Sequence, residues 1–245
     1  MANYRIVRVS PDHSYAAALA AHARRLRDGW RPVGRKIGFT NRGIWARYGV
    51  YEPIWGTVYD RTLIHAPDGF ALVPLEDLEQ PRIEPEICFG LRAAPRSSSP
   101  EDLLAAIDWM AHSIEIVQCD QPGWKTSLAH SIGANGLHGR LILGPPLDIA
   151  DVPEVTSKLA RFELLLIKDG KAVDRGTGEI VLGSPLAALG YLVGLLSKQP
   201  EAPPLAPGEI VSTGTITDAH PVAPGESWST DIRGLPLQGL AVRFS

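Results

Sequence analysis

The sequence predicts an α+β fold in which a few helices pack against a closed or folded-over sheet of many short strands. Ala- and Leu-rich segments with good start signals supply the helices, and short apolar runs punctuated by Gly and Pro supply the strands. The chain of 245 residues, 44% hydrophobic and 21% charged, is large enough to enclose its own core, either as one domain or as one with a small cap.

Taken in order, the stretch from Ser14 to Leu26 reads as an opening helix. It is rich in Ala, the best helix former, its basic residues gather at the C-terminal end, and Ser10 or Asp12 is available as its cap. Aromatic pieces broken by Gly and Pro follow. A second helix is expected in SPEDLLAAIDWMAHSIEIV, started by Ser99, Pro100 and Glu101 and turning into strand near Ile114. The runs RLILG, FELLLIKDG and EIVLG read as strands, with KDGK as a turn, and SPLAALGYLVGLL as a third helix that Ser184 caps and Pro185 begins. The Pro-rich PEAPPLAPGE is a surface connection to the last short strands, EIVSTGTIT and LAVRF.

Composition excludes some classes. A net charge of −3 without a Lys/Arg cluster gives no footprint for nucleic acid. Cys88 and Cys119 are too few for a disulfide framework and sit among apolar neighbours, so reduced, buried thiols are expected. MANYRIVRVS lacks the apolar run of a signal peptide, no apolar segment is expected to reach the roughly 20 residues of a membrane span, and a cytoplasmic protein is expected. No dinucleotide or nucleoside-triphosphate loop occurs.

PRIEPEICFG, residues 81–90, sets two carboxylates two positions apart in an apolar run. On a strand, Glu84 and Glu86 then share one face while Ile83, Ile87 and Phe89 line the other. Glu115, in HSIEIVQCD, is a third acid between isoleucines. Buried like charges require cations, either protein side chains or a metal; with no His or Cys cluster of zinc spacing beside them, Mg²⁺ or Mn²⁺ suits the three better than Zn²⁺. The plain alternative is three solvated glutamates on edge strands.

Six blocks decide between these readings by resemblance. GRKIGFTN (34–41), YEPIWGTVYD (51–60), PRIEPEICFG, IEIVQCDQPGWK (114–125), GTGEIVLGSPLAALGYL (176–192) and PGEIVSTGTITDAHPVAPGE (207–226) together resemble the fumarylacetoacetate hydrolase superfamily. Within it, they resemble the 2-keto-4-pentenoate hydratase and 4-oxalocrotonate decarboxylase family. The resemblance implies a mixed β-roll or barrel with flanking helices, divided into an N-terminal helical and aromatic cap (1–78) and a catalytic β-roll (79–245). It also implies one divalent metal, Mg²⁺ or Mn²⁺, on Glu84, Glu86 and Glu115, chelating a small 2-keto acid.

Under the same resemblance, Lys36, Asp60 and Lys125 are catalytic: Lys36 and Asp60 move a proton, and Lys125 offsets the acids or holds the distal end of the substrate. Thr40, Arg61 and the Thr213-Gly214-Thr215 element bind substrate. Exposed side chains or turn and cap roles are the alternatives for these residues. Arg61 stands where hydratases of the family often carry an acid, and Ala134 likewise replaces one. His130 and His138 read as satisfied loop or core histidines. Trp45, Tyr48, Trp55 and Tyr59 suggest a pocket wall, and core packing explains some of them equally well. The expected activity is hydration of a 2-hydroxy-2,4-dienoate. Decarboxylation of a 2-oxo-3-enedioate, C–C hydrolysis and a catalytically silent partner subunit are the alternatives. A homo-oligomer is implied, in some cases associated with a related pathway enzyme.

Overall fold

The computed structural model describes residues 11–48 and 50–245. Ser10 and the side chains of Asp12 and Tyr48 lie outside the described residues. The helices are α1 (Pro11–Arg27), α2 (Trp45–Tyr48), α3 (Pro100–Ala106), α4 (Leu128–Gly133), α5 (Val155–Arg161) and α6 (Pro185–Leu196). The strands are β1 (Pro32–Gly38), β2 (Ile54–Tyr59), β3 (Leu63–His65), β4 (Phe70–Val73), β5 (Arg82–Leu91), β6 (Ile107–Val117), β7 (His138–Leu143), β8 (Leu147–Asp148), β9 (Glu163–Lys168), β10 (Lys171–Thr177), β11 (Ile210–Ser212), β12 (His220–Pro221), β13 (Ser227–Arg233) and β14 (Ala241–Phe244).

These strands form two mixed sheets in an α+β fold. The larger runs β2-β1-β11-β5-β6-β7-β3, with β12 added to β5 and β8 to β6; the smaller runs β10-β9-β13-β14-β4. Residues before 78 supply β1, β2 and β3 to the first sheet and β4 to the second, so strands from both sides of that position share each sheet. Strands β5 and β6 occupy the middle of the larger sheet and are buried along most of their length. Ile83, Ile87 and Phe89 on β5 and Ile114 and Ile116 on β6 are wholly inaccessible to solvent, at about 1.5–3 kcal/mol for each large apolar side chain so buried.

Local chemistry explains several element ends. Ser99 Oγ accepts from the Asp102 amide to start α3, and Ser184 Oγ accepts from the Ala187 amide, with Pro185 behind it, to start α6. Asp169 (φ 47°) and Gly170 (φ 78°) give the KDGK turn the two positive φ values of a tight hairpin between β9 and β10. Residues 178–196 are apolar enough on average to cross a membrane, but 56% of the most apolar window is buried inside the protein and α6 itself packs on α3. This is a core helix.

Two sequence expectations are corrected. The second helix stops at Ala106, and Ile107–Val117 is a strand throughout, because β5 offers a ten-residue pairing partner and the segment carries Ile107, Ile114, Ile116 and Val117, which favour strand. EIVLG is a single 3-10 turn rather than a strand; Leu182 there has φ 53° and its amide donates to the Thr40 carbonyl, fixing the loop after β1.

Candidate metal centre

Antiparallel pairing builds the centre. Glu84 on β5 stands directly opposite Glu115 on β6, and Glu86 opposite Ser113, so three carboxylates converge on one face of two neighbouring strands. One oxygen from each of Glu84, Glu86 and Glu115 can be chosen so that all three lie within 4.8 Å of one another. Glu86 and Glu115 are fully buried, and half-buried Glu84 lines a cavity that opens beside them.

Lys36 enters from β1. Its Nζ lies 3.0 Å from Glu115 Oε2 and donates to the Gly136 carbonyl at 3.0 Å, with the side chain only 3% exposed. That carbonyl is held in place by Asn135, whose side chain accepts from the Thr57 amide at 2.7 Å and donates to the Thr57 carbonyl at 2.8 Å, acting as an extra strand partner. A Cβ on Gly56 would stand 2.3 Å from the Asn135 carbonyl oxygen, so only glycine permits this approach.

Glu86 Oε2 accepts from Ser212 Oγ at 2.5 Å and from the Gly214 amide at 2.9 Å, whereas Glu86 Oε1, like Glu115 Oε2, is buried with no hydrogen-bond partner among the described residues. Glu115 Oε1 is taken by His138 Nδ1 at 2.7 Å. Burial pushes Glu84 up to about 7 against the pull of Lys36, and burial together with Glu115 pushes Glu86 well above the usual carboxylate range. Burial pushes Glu115 the same way, but Lys36 and His138 outweigh it and hold its carboxyl below the usual value. For Lys36 burial works downward, and the three carboxylates reverse it, raising the ammonium above its ordinary value. Three acids with one ammonium carry a surplus of buried negative charge, and the unpartnered Glu86 oxygen marks where a cation would fit. An all-oxygen donor set of this kind suits a hard divalent ion.

The structure brings together only some of the expected site residues. Lys36, Thr40, Glu84 and Thr215 line the cavity, with Glu86 and Glu115 behind them. Gly214 contributes its amide to Glu86, and Thr213 is turned inward, its hydroxyl donating to the Ile87 carbonyl. Asp60, Arg61 and Lys125 are not among the lining residues. The Asp60 carboxylate accepts from the amide and Nε of Arg31 at the surface, Arg61 lies over Trp30 and donates to the Asp28 carbonyl, and Lys125 is exposed. Trp45, Trp55 and Tyr59 all pack into the protein, while Trp124 forms part of the cavity wall.

Sequence reading missed Ser212, Asn135 and Arg82, while His138, read there as a satisfied histidine, is buried with both ring nitrogens bonded, one of them to Glu115. Ser212 directly precedes the Thr-Gly-Thr element and Arg82 lies on the strand face of the two glutamates, so position could have flagged both. Arg82 also lines the cavity, its guanidinium 4.3 Å above the Trp124 ring. Phe39, Trp124 and Leu137, all lining residues, have positive φ values of 56°, 59° and 62°, a concentration of backbone strain typical of functional sites.

The sequence pattern described as Fumarylacetoacetate (FAA) hydrolase C-terminal matches residues 19–241. The chain belongs to the fumarylacetoacetate hydrolase family. The relatives it resembles include both decarboxylases and hydratases. It is 31% identical over 218 residues to a 4-oxalocrotonate decarboxylase of Pseudomonas sp, covering 87% of this chain and 79% of the relative. It is 29% identical over 226 residues to a 2-keto-4-pentenoate hydratase of Paraburkholderia xenovorans (strain LB400), covering 91% and 81%. Among solved structures, 4-oxalocrotonate decarboxylase from Pseudomonas putida G7, complexed with magnesium and adipate, superposes with a TM-score of 0.87 at 27% identity, over 97% of this chain and 87% of that one.

Proposed function

We propose that this family member is a metal-dependent lyase acting on a small unsaturated 2-keto acid, with Glu84, Glu86 and Glu115 holding Mg²⁺ or Mn²⁺. The observation that carries the reading is the convergence of three carboxylate oxygens within 4.8 Å, one of them on Glu86 buried without a partner, beside a buried lysine at a cavity. The magnesium held by the relative from Pseudomonas putida G7 supports the choice of ion. Held by these three carboxylates, the ion would supply Lewis-acid polarisation of a 2-oxo oxygen, a need that hydration and decarboxylation share.

This chain's own residues supply the rest. Lys36, aimed by Gly136 and Glu115, donates to the substrate carboxylate or enolate oxygen and carries the proton step of dienol-to-enone conversion. Thr40 and Thr215 offer hydroxyls at the cavity wall, and Leu137 and Trp124 shield the hydrocarbon chain. Hydration of a 2-hydroxy-2,4-dienoate is the first reading. Decarboxylation of a 2-oxo-3-enedioate is the second, favoured by Arg82, which with Lys36 makes up the cationic lining of the cavity and suits a distal carboxylate. Self-association belongs to the proposal, and sedimentation equilibrium tests it.

The deciding experiment offers purified protein, with Mg²⁺ or Mn²⁺ and with chelator, freshly made 2-hydroxypenta-2,4-dienoate and 2-oxo-3-hexenedioate, and follows both by mass spectrometry. Chelator-sensitive gain of water on the first compound supports hydration. Chelator-sensitive loss of CO₂ from the second moves the reaction to decarboxylation, and inertness toward both overturns the lyase reading.

A further inference from the structure

His138 is buried to 1% side-chain exposure at the start of β7, and neither of its ring nitrogens faces the cavity as a free group. Nδ1 lies 2.7 Å from Glu115 Oε1 and Nε2 lies 2.8 Å from Thr62 Oγ1. The carboxylate fixes the proton on one nitrogen. An ionised carboxylate only accepts, so Nδ1 carries the proton toward Glu115; Nε2 meets the Thr62 hydroxyl, which itself donates to the Tyr59 carbonyl at 3.0 Å and accepts from the Tyr59 amide at 3.3 Å. The ring is thus clamped from behind by the turn that follows β2.

The consequence falls on Glu115. Its Oε1 is committed to the imidazole, and Oε2, the atom beside Lys36, is buried with no hydrogen-bond partner among the described residues. Glu86 shows the same division by different means: Ser212 and the Gly214 amide take Oε2 and leave Oε1 open. Two of the three carboxylates therefore have one oxygen to give. Ca²⁺ favours six to eight ligands and uses bidentate carboxylates, whereas Mg²⁺ demands octahedral geometry at short distances and takes carboxylates one oxygen at a time.

Resting on the metal reading above, we propose that His138, clamped by Thr62, is a positioning residue that holds Glu115 as a one-oxygen ligand and so makes the centre select Mg²⁺ or Mn²⁺ over Ca²⁺. A bidentate Glu115 would have to break the bond from Nδ1, and a bidentate Glu86 the bonds from Ser212 and Gly214.

Isothermal titration calorimetry of the metal-free full chain with Mn²⁺ and, separately, Ca²⁺ reads this without reference to turnover. His138→Leu is expected to weaken Mn²⁺ binding about 10- to 100-fold and Ca²⁺ binding less, so the Mn²⁺/Ca²⁺ affinity ratio falls. His138→Asn, whose amide nitrogen occupies the place of Nδ1, is expected to restore most of the ratio. A folded His138→Leu protein with the wild-type ratio overturns the proposal, as does a folded His138→Asn protein no better than His138→Leu. If circular dichroism shows His138→Leu unfolded, Thr62→Val decides: a lowered ratio supports the clamp and an unchanged one overturns it. Wild-type protein that binds neither ion overturns the metal reading along with this one, whereas wild-type binding with an unmoved ratio in the variants overturns this proposal alone.

Discussion

Lys36 Nζ and Glu115 Oε2 lie 3.0 Å apart with side-chain exposures of 3% and 0%. The pair joins strands that are not neighbours: β1 reaches β6 only across β11 and β5. An ammonium is thus delivered beside the acid cluster at the cavity wall, which Lys36 shares with Glu84. The lysine thus serves both charge balance at Glu115 and the lining of the cavity.

Replacing Lys36 by Met separates these roles. Without metal the variant leaves three converging carboxylates with no cation at that position, and removing one partner of a buried pair costs about 3–5 kcal/mol. Mn²⁺ is therefore expected to recover a larger share of thermal stability in the variant than in the wild type, while turnover falls about 10²–10⁴-fold through loss of the proton-transfer group. Melting curves with and without Mn²⁺, alongside the mass-spectrometric assay, check both. An active Lys36→Met enzyme would remove the lysine from the mechanism.

Glu86→Gln acts in the opposite direction on the metal-free protein. The Gln carbonyl can still accept from Ser212 and Gly214, and the amide nitrogen then occupies the place of the unpartnered Oε1. At a pH high enough to ionise Glu86, burying an amide in place of its carboxylate is expected to raise metal-free stability by about 1–3 kcal/mol, a gain that shrinks at lower pH where burial keeps the acid neutral. Metal-linked stabilisation, about 2.7 kcal/mol at a ligand concentration one hundred times Kd, is expected to vanish. A melting temperature that still climbs with Mn²⁺ would show that Glu86 is not a ligand.

How much of this was legible in the sequence follows from the range of each interaction. Glu84 and Glu86 were readable because strand periodicity is local and puts alternate residues on one face; Glu115 followed from its apolar neighbours, and pairing set it opposite Glu84. The capped start of α6 and the hairpin at Asp169 and Gly170 were readable for the same local reason. The helix expected through Ile107 was not, since pairing with β5 outweighs the preference of an Ala-containing segment. Nor did chain proximity reveal that Arg61 turns to Trp30 and Asp60 to Arg31, or that a register shift at the end of β6 sets His138 within reach of Glu115. These are consequences of tertiary register, which no short window contains.

Gly214 combines strain with crowding. Its φ is +104°, and a Cβ there would stand 2.0 Å from Thr40 Oγ1. Gly214→Ala is expected to cost about 1–3 kcal/mol for the backbone conformation alone, with the clash added. It should also shift the amide that steadies Glu86, and so weaken Mn²⁺ binding. Thr40→Ala removes the nearest atoms, so the double variant should recover part of the loss, with a coupling of about 0.5–3 kcal/mol in urea unfolding. Strict additivity would mean that Thr40 does not limit the space at Gly214.

His112 gives a pH signature of its own. It is 1% exposed; Nδ1 bonds the Glu86 carbonyl at 2.9 Å and Nε2 the Thr230 hydroxyl at 2.8 Å, an arrangement that neutral imidazole satisfies. Burial pushes its pKa down from 6.5 to about 4, only partly opposed by the bond to Glu86. Between those values the unfolded chain binds a proton that the folded chain refuses, so acidification favours unfolding. The contribution is complete above pH 6.5 and is lost as pH falls to about 4, amounting to about 3 kcal/mol across that window. His112→Asn keeps a donor for the Glu86 carbonyl, gives up the Thr230 bond and cannot titrate. The stability of wild type minus that of His112→Asn, measured by urea unfolding in metal-free buffer from pH 4.5 to 7, should therefore rise with pH. A difference that stays flat would mean that the imidazole is protonated in the folded protein across that range, or that the unfolded chain does not expose it.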